Sequence, residues 1–151
     1  MNIEWRCRFF DDLTPSELYD IIQLRNDVFV VEQQCVFQDA DGVDKKCYHL
    51  TGYDGDTLVA YTRLIAPGIT FAEASIGRVA NARAYRGLSI GKELMQRSIK
   101  HCIQLFGSAP IMIGAQLYLK KFYEMLGFNT VGEVYLEDNI PHIHMNLLPK
   151  G

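Results

Sequence analysis

An α/β fold on one mixed β-sheet of about seven strands, with helices packed on its faces, is what the sequence predicts. Stretches of strand-like apolar character bounded by turn residues recur seven times along the 151 residues, and three stretches of helical period interrupt them. The early strands follow one another as hairpins while the later ones alternate with helices, an order that mixes antiparallel with parallel neighbours. No repeat, low-complexity tract or linker divides the chain, so residues 1–151 read as a single domain.

Ile3 to Phe10 alternates well enough for a first strand. Thr14-Pro15-Ser16-Glu17 reads as a helix start, with Thr14 as cap, Pro15 in the first turn and Glu17 completing a capping box. Leu18, Ile21, Ile22, Arg25, Val28 and Phe29 then keep helical spacing to about Val31, and a polar loop runs from Glu32 to Asp44. Lys46 to Tyr53 and Thr57 to Ala66 are strands joined at Asp54-Gly55, a hairpin signal. Phe71 to Asn81 is a further strand, with Gly77 as a weak point or bulge.

Ile90, Leu94, Met95, Ile99, Cys102, Ile103 and Phe106 mark an amphipathic helix stopped by Gly107. Pro110 to Ala115 is a short buried strand, and Leu117 to Leu126 a helix ended by Gly127. Phe128 to Leu136 and Ile140 to Leu148 close the sheet around Glu137-Asp138-Asn139.

Hydrophobic residues make up 48% and charged residues 22%, with a net charge of -3, so a packed core is expected and disorder is not. No basic stripe suits a nucleic-acid backbone. No apolar run approaches a bilayer span, and the opening MNIEWRCRFFDD lacks a signal core, so a soluble, cytoplasmic protein is expected. Cys7, Cys35, Cys47 and Cys102 form no CxxC pair and are expected as reduced thiols, mostly core-packed. Cys35, Cys47 and His49 match no common zinc spacing, and Asp39-x-Asp41 is out of step with a calcium loop, so no metal is expected.

The stretch Tyr85-Arg86-Gly87-Leu88-Ser89-Ile90-Gly91-Lys92 lies between a strand and an amphipathic helix. Small residues there admit a ligand close to the backbone, and the free N–H groups of the first helical turn face any anion above them. Arg86 adds a fork of donors suited to phosphate oxygens. The spacing is neither that of a P-loop nor G-x-G-x-x-G.

Joined with Phe122-Tyr123 and Leu126-Gly127-Phe128, the run Arg86 to Gly91 resembles the GNAT superfamily of acetyl-CoA-dependent N-acetyltransferases. It looks like that family's R/Q-x-x-G-x-G/A pyrophosphate loop, and the later segment like its FYxxLGF motif. Leu24 to Gln33, Gln38 to Gly42, Ile76 to Val79, Gly114 to Gln116 and Pro141 to Ile143 are similar to the ElaA-like branch, so the resemblance covers almost the whole chain. One departure is Ser89, which stands at the loop's middle-glycine position and is expected to narrow the approach of the cofactor.

The resemblance implies a mostly antiparallel sheet with helices on both faces, splayed at the strands carrying Val79 and Ile113. Acetyl-CoA would lie with its pantetheine arm along Val79, Ala80 and Asn81. Its pyrophosphate would rest on Arg86, Gly87, Leu88, Ser89, Ile90, Gly91 and Lys92, with Gln116 and Phe122 also against the cofactor. Tyr123 would protonate the leaving thiolate, although in isolation a tyrosine on such a helix is a core residue.

Glu32, Asp39, Asp41 and Asp44 form an acidic stretch. Glu32 is the candidate to take the acceptor's proton, and the three aspartates read as a solvated loop. His49, Arg63, Arg78 and His142 match the ElaA-like pattern and are candidates to line the acceptor cleft. Arg63 and Arg78 would hold a substrate carboxylate or else pair with Glu32 or Glu73, and His144 reads as surface. The expected activity is acetyl transfer from acetyl-CoA to a primary amine, on a small molecule or a peptide, by direct attack in a ternary complex. The alternative is a non-catalytic acyl-CoA-binding module, and a homodimer is compatible with either.

Overall fold

Helix α1 (Pro15–Arg25) starts where the sequence sets it: the Glu17 N–H donates to Thr14 Oγ1 at 3.1 Å and the Thr14 N–H to Glu17 Oε1 at 2.9 Å. Such a cap contributes about 0.5–2 kcal/mol. The helix does not continue in α form to Val31. From Asn26 to Glu32 it widens into a π-helical run, carrying the chain to a turn at Gln33 and Gln34.

In the computed structural model, which describes residues 2–150, the strands are β1 (Glu4–Phe9), β2 (Tyr48–Asp54), β3 (Thr57–Ile65), β4 (Ala74–Asn81), β5 (Ile111–Gln116), β6 (Asn129–Glu137) and β7 (Ile140–Leu147). They form one sheet in the order β1-β2-β3-β4-β5-β7-β6, antiparallel throughout except for β4 beside β5. Two more helices complete the fold, α2 (Ile90–Phe106) and the short α3 (Lys120–Met125), which a 3-10 turn at Leu117–Leu119 precedes. At the β6–β7 turn, Asp138 and Asn139 both take left-handed backbone, at φ 50° and 62°, the geometry of a two-residue hairpin.

Alternation along β3 sorts the two layers. Tyr61 faces α1, where it packs with Ile21, Leu24, Val28, Leu58 and Ala80. Thr62 faces α2, its hydroxyl 2.7 Å from that of Ser98. Leu64 packs with Met95 and Cys102 of α2, and with Ile76, Ile111, Ile113, Tyr123 and Phe128. Burying each of the larger aliphatic side chains contributes about 1.5–3 kcal/mol. Cys47 and Cys102 are buried, Cys7 and Cys35 partly so, and all four are free thiols.

Candidate functional site

The parallel pair β4–β5 is joined only at Ala74 opposite Ile111 and Ser75 opposite Met112. Beyond these residues the strands part, as expected at Val79 and Ile113. A cavity of about 460 Å³ opens there, lined by Ile76, Val79, Ile113 and Gln116 of the sheet and by Tyr123 of α3. A bulge in β4 follows the parting. Arg63 pairs with Gly77 and Tyr61 with Ala80, so β4 carries one residue more than β3 over that interval. The left-handed residue is Arg78, at φ 51°, and not the expected Gly77, whose backbone is ordinary and which has room for a Cβ 3.7 Å from Ile65 Cδ1. A non-glycine residue in that conformation costs roughly 1–3 kcal/mol. Two bonds fix it: Arg78 Nε donates to Asp39 Oδ1 at 2.8 Å and Nη2 to the Asp39 carbonyl at 3.1 Å.

At the open end of β4 the chain passes through Arg83–Tyr85 and Gly87 into α2. Ser89 sits at the helix start with φ 63°, a conformation suited to glycine, and its side chain makes no capping bond. The first intrahelical bond runs from the Glu93 N–H to the Ser89 carbonyl, which leaves the N–H groups of Ile90, Gly91 and Lys92 without a helical acceptor. Asn81 beside them has a buried Oδ1 with no partner. The free N–H groups fit a phosphate-bearing ligand, and the Asn81 Oδ1, an acceptor, fits a donor such as an amide N–H. Leu88 on this loop and Lys92 in the first turn of α2 are both exposed.

Arg86 belongs to this loop but points across it. Its Nε donates to the Asn81 carbonyl at 3.1 Å, and its Nη2 lies 2.8 Å from Glu32 Oε2. The residue expected to take the acceptor's proton is thus paired with the residue expected to hold pyrophosphate, and Glu32 is absent from the cavity wall.

Tyr123 is 4% exposed, edge-on to Phe122 at 5.2 Å and to Phe128 at 6.0 Å, and reaches the cavity. Burial pushes its phenol well above the ordinary value, so the hydroxyl keeps its proton at neutral pH. Phe122 packs on the core around it. Gln116 also reaches the cavity, where its Oε1 accepts from Gln33 Nε2 at 3.2 Å, tying the end of the π run to β5.

The acidic stretch is not a solvated loop. Asp39, Asp41 and Asp44 interlock with three arginines, one of which, Arg25, reads in the sequence only as part of a helical stripe. Arg25 is 2% exposed and donates to Asp39 Oδ2 at 2.7 Å and Asp44 Oδ1 at 2.6 Å. Arg63 forks onto Asp41 at 2.8 and 3.0 Å and also reaches Asp44 at 3.0 Å. Arg78 is held by Asp39, with Asp41 at 3.4 Å. Burial alone would raise the Asp41 and Asp44 carboxyls, but Arg63 and Arg25 outweigh it and hold both below the usual range. The partners of Arg63 and Arg78 are these aspartates, and not Glu32 or Glu73.

His49 lies beneath the same loop, 1% exposed and away from the cavity wall. Its Nε2 donates to the Asp44 carbonyl at 2.9 Å and its Nδ1 accepts from the Tyr61 hydroxyl at 2.6 Å. Burial lowers its basicity, so it serves as a neutral strut.

Of the four acceptor-side candidates, the structure brings Arg78 and His142 to the cavity and leaves Arg63 and His49 behind the loop. His142 pairs across the sheet with Gln116 and Tyr135. His144 is half-buried between Tyr135 and Phe71, contrary to its reading as surface. Phe37, Asp41, Glu137 and Asp138 also line the cavity. Among the described residues no cluster of ligating side chains could hold a metal, and no helix is long and apolar enough to cross a membrane.

Known proteins share this fold. Residues 19–149 match the model of the acetyltransferase (GNAT) domain. The chain is 42% identical to Protein ElaA of Escherichia coli over 145 residues, 95% of either chain. The fold superposes on a crystal structure of an acyl-CoA N-acyltransferase from Pseudomonas aeruginosa with a TM-score of 0.93 and 41% identity, covering 97% of this chain and 99% of that one. For the crystal structure of Escherichia coli ElaA the TM-score is 0.88 at 40% identity, with the same coverage. With a family match over most of its length and relatives this similar along nearly the full chain, the protein belongs to the GNAT acetyltransferase family.

Proposed function

We propose that the protein transfers an acetyl group from acetyl-CoA to a primary amine by direct attack in a ternary complex. The observation that carries this reading is the gap between β4 and β5, which opens on a buried phenol that keeps its proton. The pantetheine arm would pair with the free edge of Val79, Ala80 and Asn81. The pyrophosphate would accept from the uncommitted N–H groups of Ile90, Gly91 and Lys92, with Arg86 turning to it from Glu32. A backbone N–H of the bulged strand would polarise the thioester carbonyl as charge develops on its oxygen. The Tyr123 hydroxyl would then protonate the departing thiolate.

The acceptor would enter between the loop and the β6–β7 hairpin, where Asp41, Glu137 and Asp138 favour a cation. Arg63 is sealed against Asp41 and Asp44, so of the two arginines only Arg78 remains at the wall to meet an anionic group on the acceptor.

The test is a panel of aliphatic diamines, polyamines, amino-acid amides and lysine peptides, each incubated with acetyl-CoA and followed by CoA release. Amine-dependent release supports the reading. Calorimetric binding of acetyl-CoA with no release above hydrolysis for any amine replaces it with the non-catalytic binding module.

A further inference from the structure

We infer that His142 takes the proton from the acceptor amine, with the Ile140 carbonyl and Glu137 as its positioning groups. The inference rests on the acyltransferase reading above and assigns that reaction its missing base. Direct attack on a thioester needs an amine lone pair, so an ammonium acceptor must first lose a proton inside the cavity. Glu32 is badly placed for this: it is engaged by Arg86 and lies off the cavity wall. Asp41 is tied up by Arg63.

His142 satisfies the geometric requirements. It is 6% exposed and lines the cavity that Tyr123 also reaches. Its Nδ1 lies 2.7 Å from the Ile140 carbonyl. A carbonyl only accepts, so Nδ1 carries the hydrogen and the lone pair of the neutral ring is on Nε2. Tyr135 stacks on the ring at 5.7 Å and fixes its plane. Glu137 Oε2 stands 3.6 Å from Nε2, so the positive charge created when that nitrogen accepts a proton meets a carboxylate. The other titratable groups around the ring are Asp138 in the adjoining turn, Tyr135 on β6 and His144 on β7. Asp41, Arg78 and Tyr123 line the same cavity.

Atoms and charge balance across the reaction. The ammonium gives one proton to His142 Nε2, which later returns it to water. The amine lone pair forms the C–N bond to the thioester carbon, and the C–S bond breaks. The thiolate takes the Tyr123 hydroxyl proton, and the nitrogen's surplus proton restores the phenol. The products are the amide, free CoA thiol and one proton released to water.

The experiment measures kcat/KM against pH for wild type, H142Q and E137Q with the fastest amine of the panel. H142Q is expected to lose about 100-fold or more at pH 7, in the range of a general base, and to recover as pH approaches the amine's own pKa and free amine arrives unaided. E137Q, at an exposed position, should fold normally and lose roughly two- to fivefold, also more at low pH. A deficit in H142Q that is constant with pH, or wild-type rates at every pH, overturns the assignment. If H142Q fails to fold, E137Q decides it, because a flat wild-type ratio there is equally fatal. Nitrogen NMR of the histidine rings gives a reading that needs no acceptor, and a neutral His142 protonated on Nε2 refutes the proposal. Release of CoA by wild type with H142Q unimpaired rejects only the base. Absence of release by wild type for every amine rejects the acyltransferase reading, and the base with it.

Discussion

Replacing Glu32 by glutamine should tighten the binding of acetyl-CoA, the reverse of what loss of an active-site carboxylate usually does to a bound substrate. Arg86 spends the ligand-free state against Glu32, with Nη2 to Oε2 at 2.8 Å and side chains 43% and 23% exposed. A pair that open to solvent is worth about 0.2–1 kcal/mol. Binding pyrophosphate gives Arg86 a charge-assisted bond of about 1.5–3 kcal/mol, from which the broken pair is subtracted. Arg86→Ala should therefore cost roughly 0.5–3 kcal/mol of affinity, about two- to 150-fold in Kd. Glu32→Gln removes the competitor and leaves the guanidinium, so Kd should fall by a factor of about 1.4 to 5. Isothermal calorimetry with acetyl-CoA at low salt reads both, and the Glu32 effect should shrink at high salt as screening weakens the pair. An unchanged or weaker affinity in Glu32→Gln would show that Glu32 presents Arg86 to the ligand and does not compete for it.

Tyr123→Phe should keep the fold and acetyl-CoA affinity while lowering kcat by about 10²–10⁴-fold, with a smaller loss for donors whose thiol is more acidic; wild-type turnover would return Tyr123 to the core. Arg25→Met takes one partner each from Asp39 and Asp44, which keep Arg78 and Arg63, and should cost up to about 3 kcal/mol, read by chemical denaturation. Because the arginines hold the Asp41 and Asp44 carboxyls below their unfolded values, their stabilisation is complete above about pH 4 and is lost as pH falls through the folded values. Asp44→Asn should be less stable at neutral pH and show a shallower decline in acid, and a decline as steep as wild type would exclude Asp44 as its source. Ser89→Gly relieves a left-handed serine at about 1 kcal/mol but adds unfolded-chain entropy, so thermal melting should show a rise of no more than about 3 °C; a fall would mean that the serine is unstrained.

The parts of the fold legible in the sequence are those with a local signal. The Thr14 cap, the helix stops at Gly107 and Gly127 and the β6–β7 hairpin each depend on residues a few positions apart. The splayed pair and its loop are legible only through motifs taken jointly. The arginine–aspartate network is illegible for a physical reason: its partners lie 14, 19, 22 and 39 residues apart and meet only after β2, β3 and β4 have paired. A trace is present, since Arg25 occupies an apolar position of the first helix, where a charge needs a partner. The bulge conformation falls one residue beyond its expected place because glycine is the customary signal for it, and here hydrogen bonds to Asp39 hold an arginine in it. Residue type at Glu32 suggests a base, but a carboxylate's role is set by what stands opposite it.

The π run at Asn26–Glu32 has a consequence for how the first helix tolerates length changes. Its wider rings, closed i→i+5, hold about one residue more per turn than an α-helix, so deleting one residue there and letting the segment relax to α form would take up that surplus and leave the angular phase of the downstream residues nearly unchanged. Gln33, which meets Gln116 across the cavity, and Glu32, which meets Arg86, lie at the end of the wide turns. Both contacts would keep their side of the helix together, as would the core face upstream, with Ile21 and Leu24. A single-residue deletion within residues 28–31 would thus leave the roof of the cavity facing β5 and the cofactor loop, whereas the same deletion within α1 would turn it by about 100°.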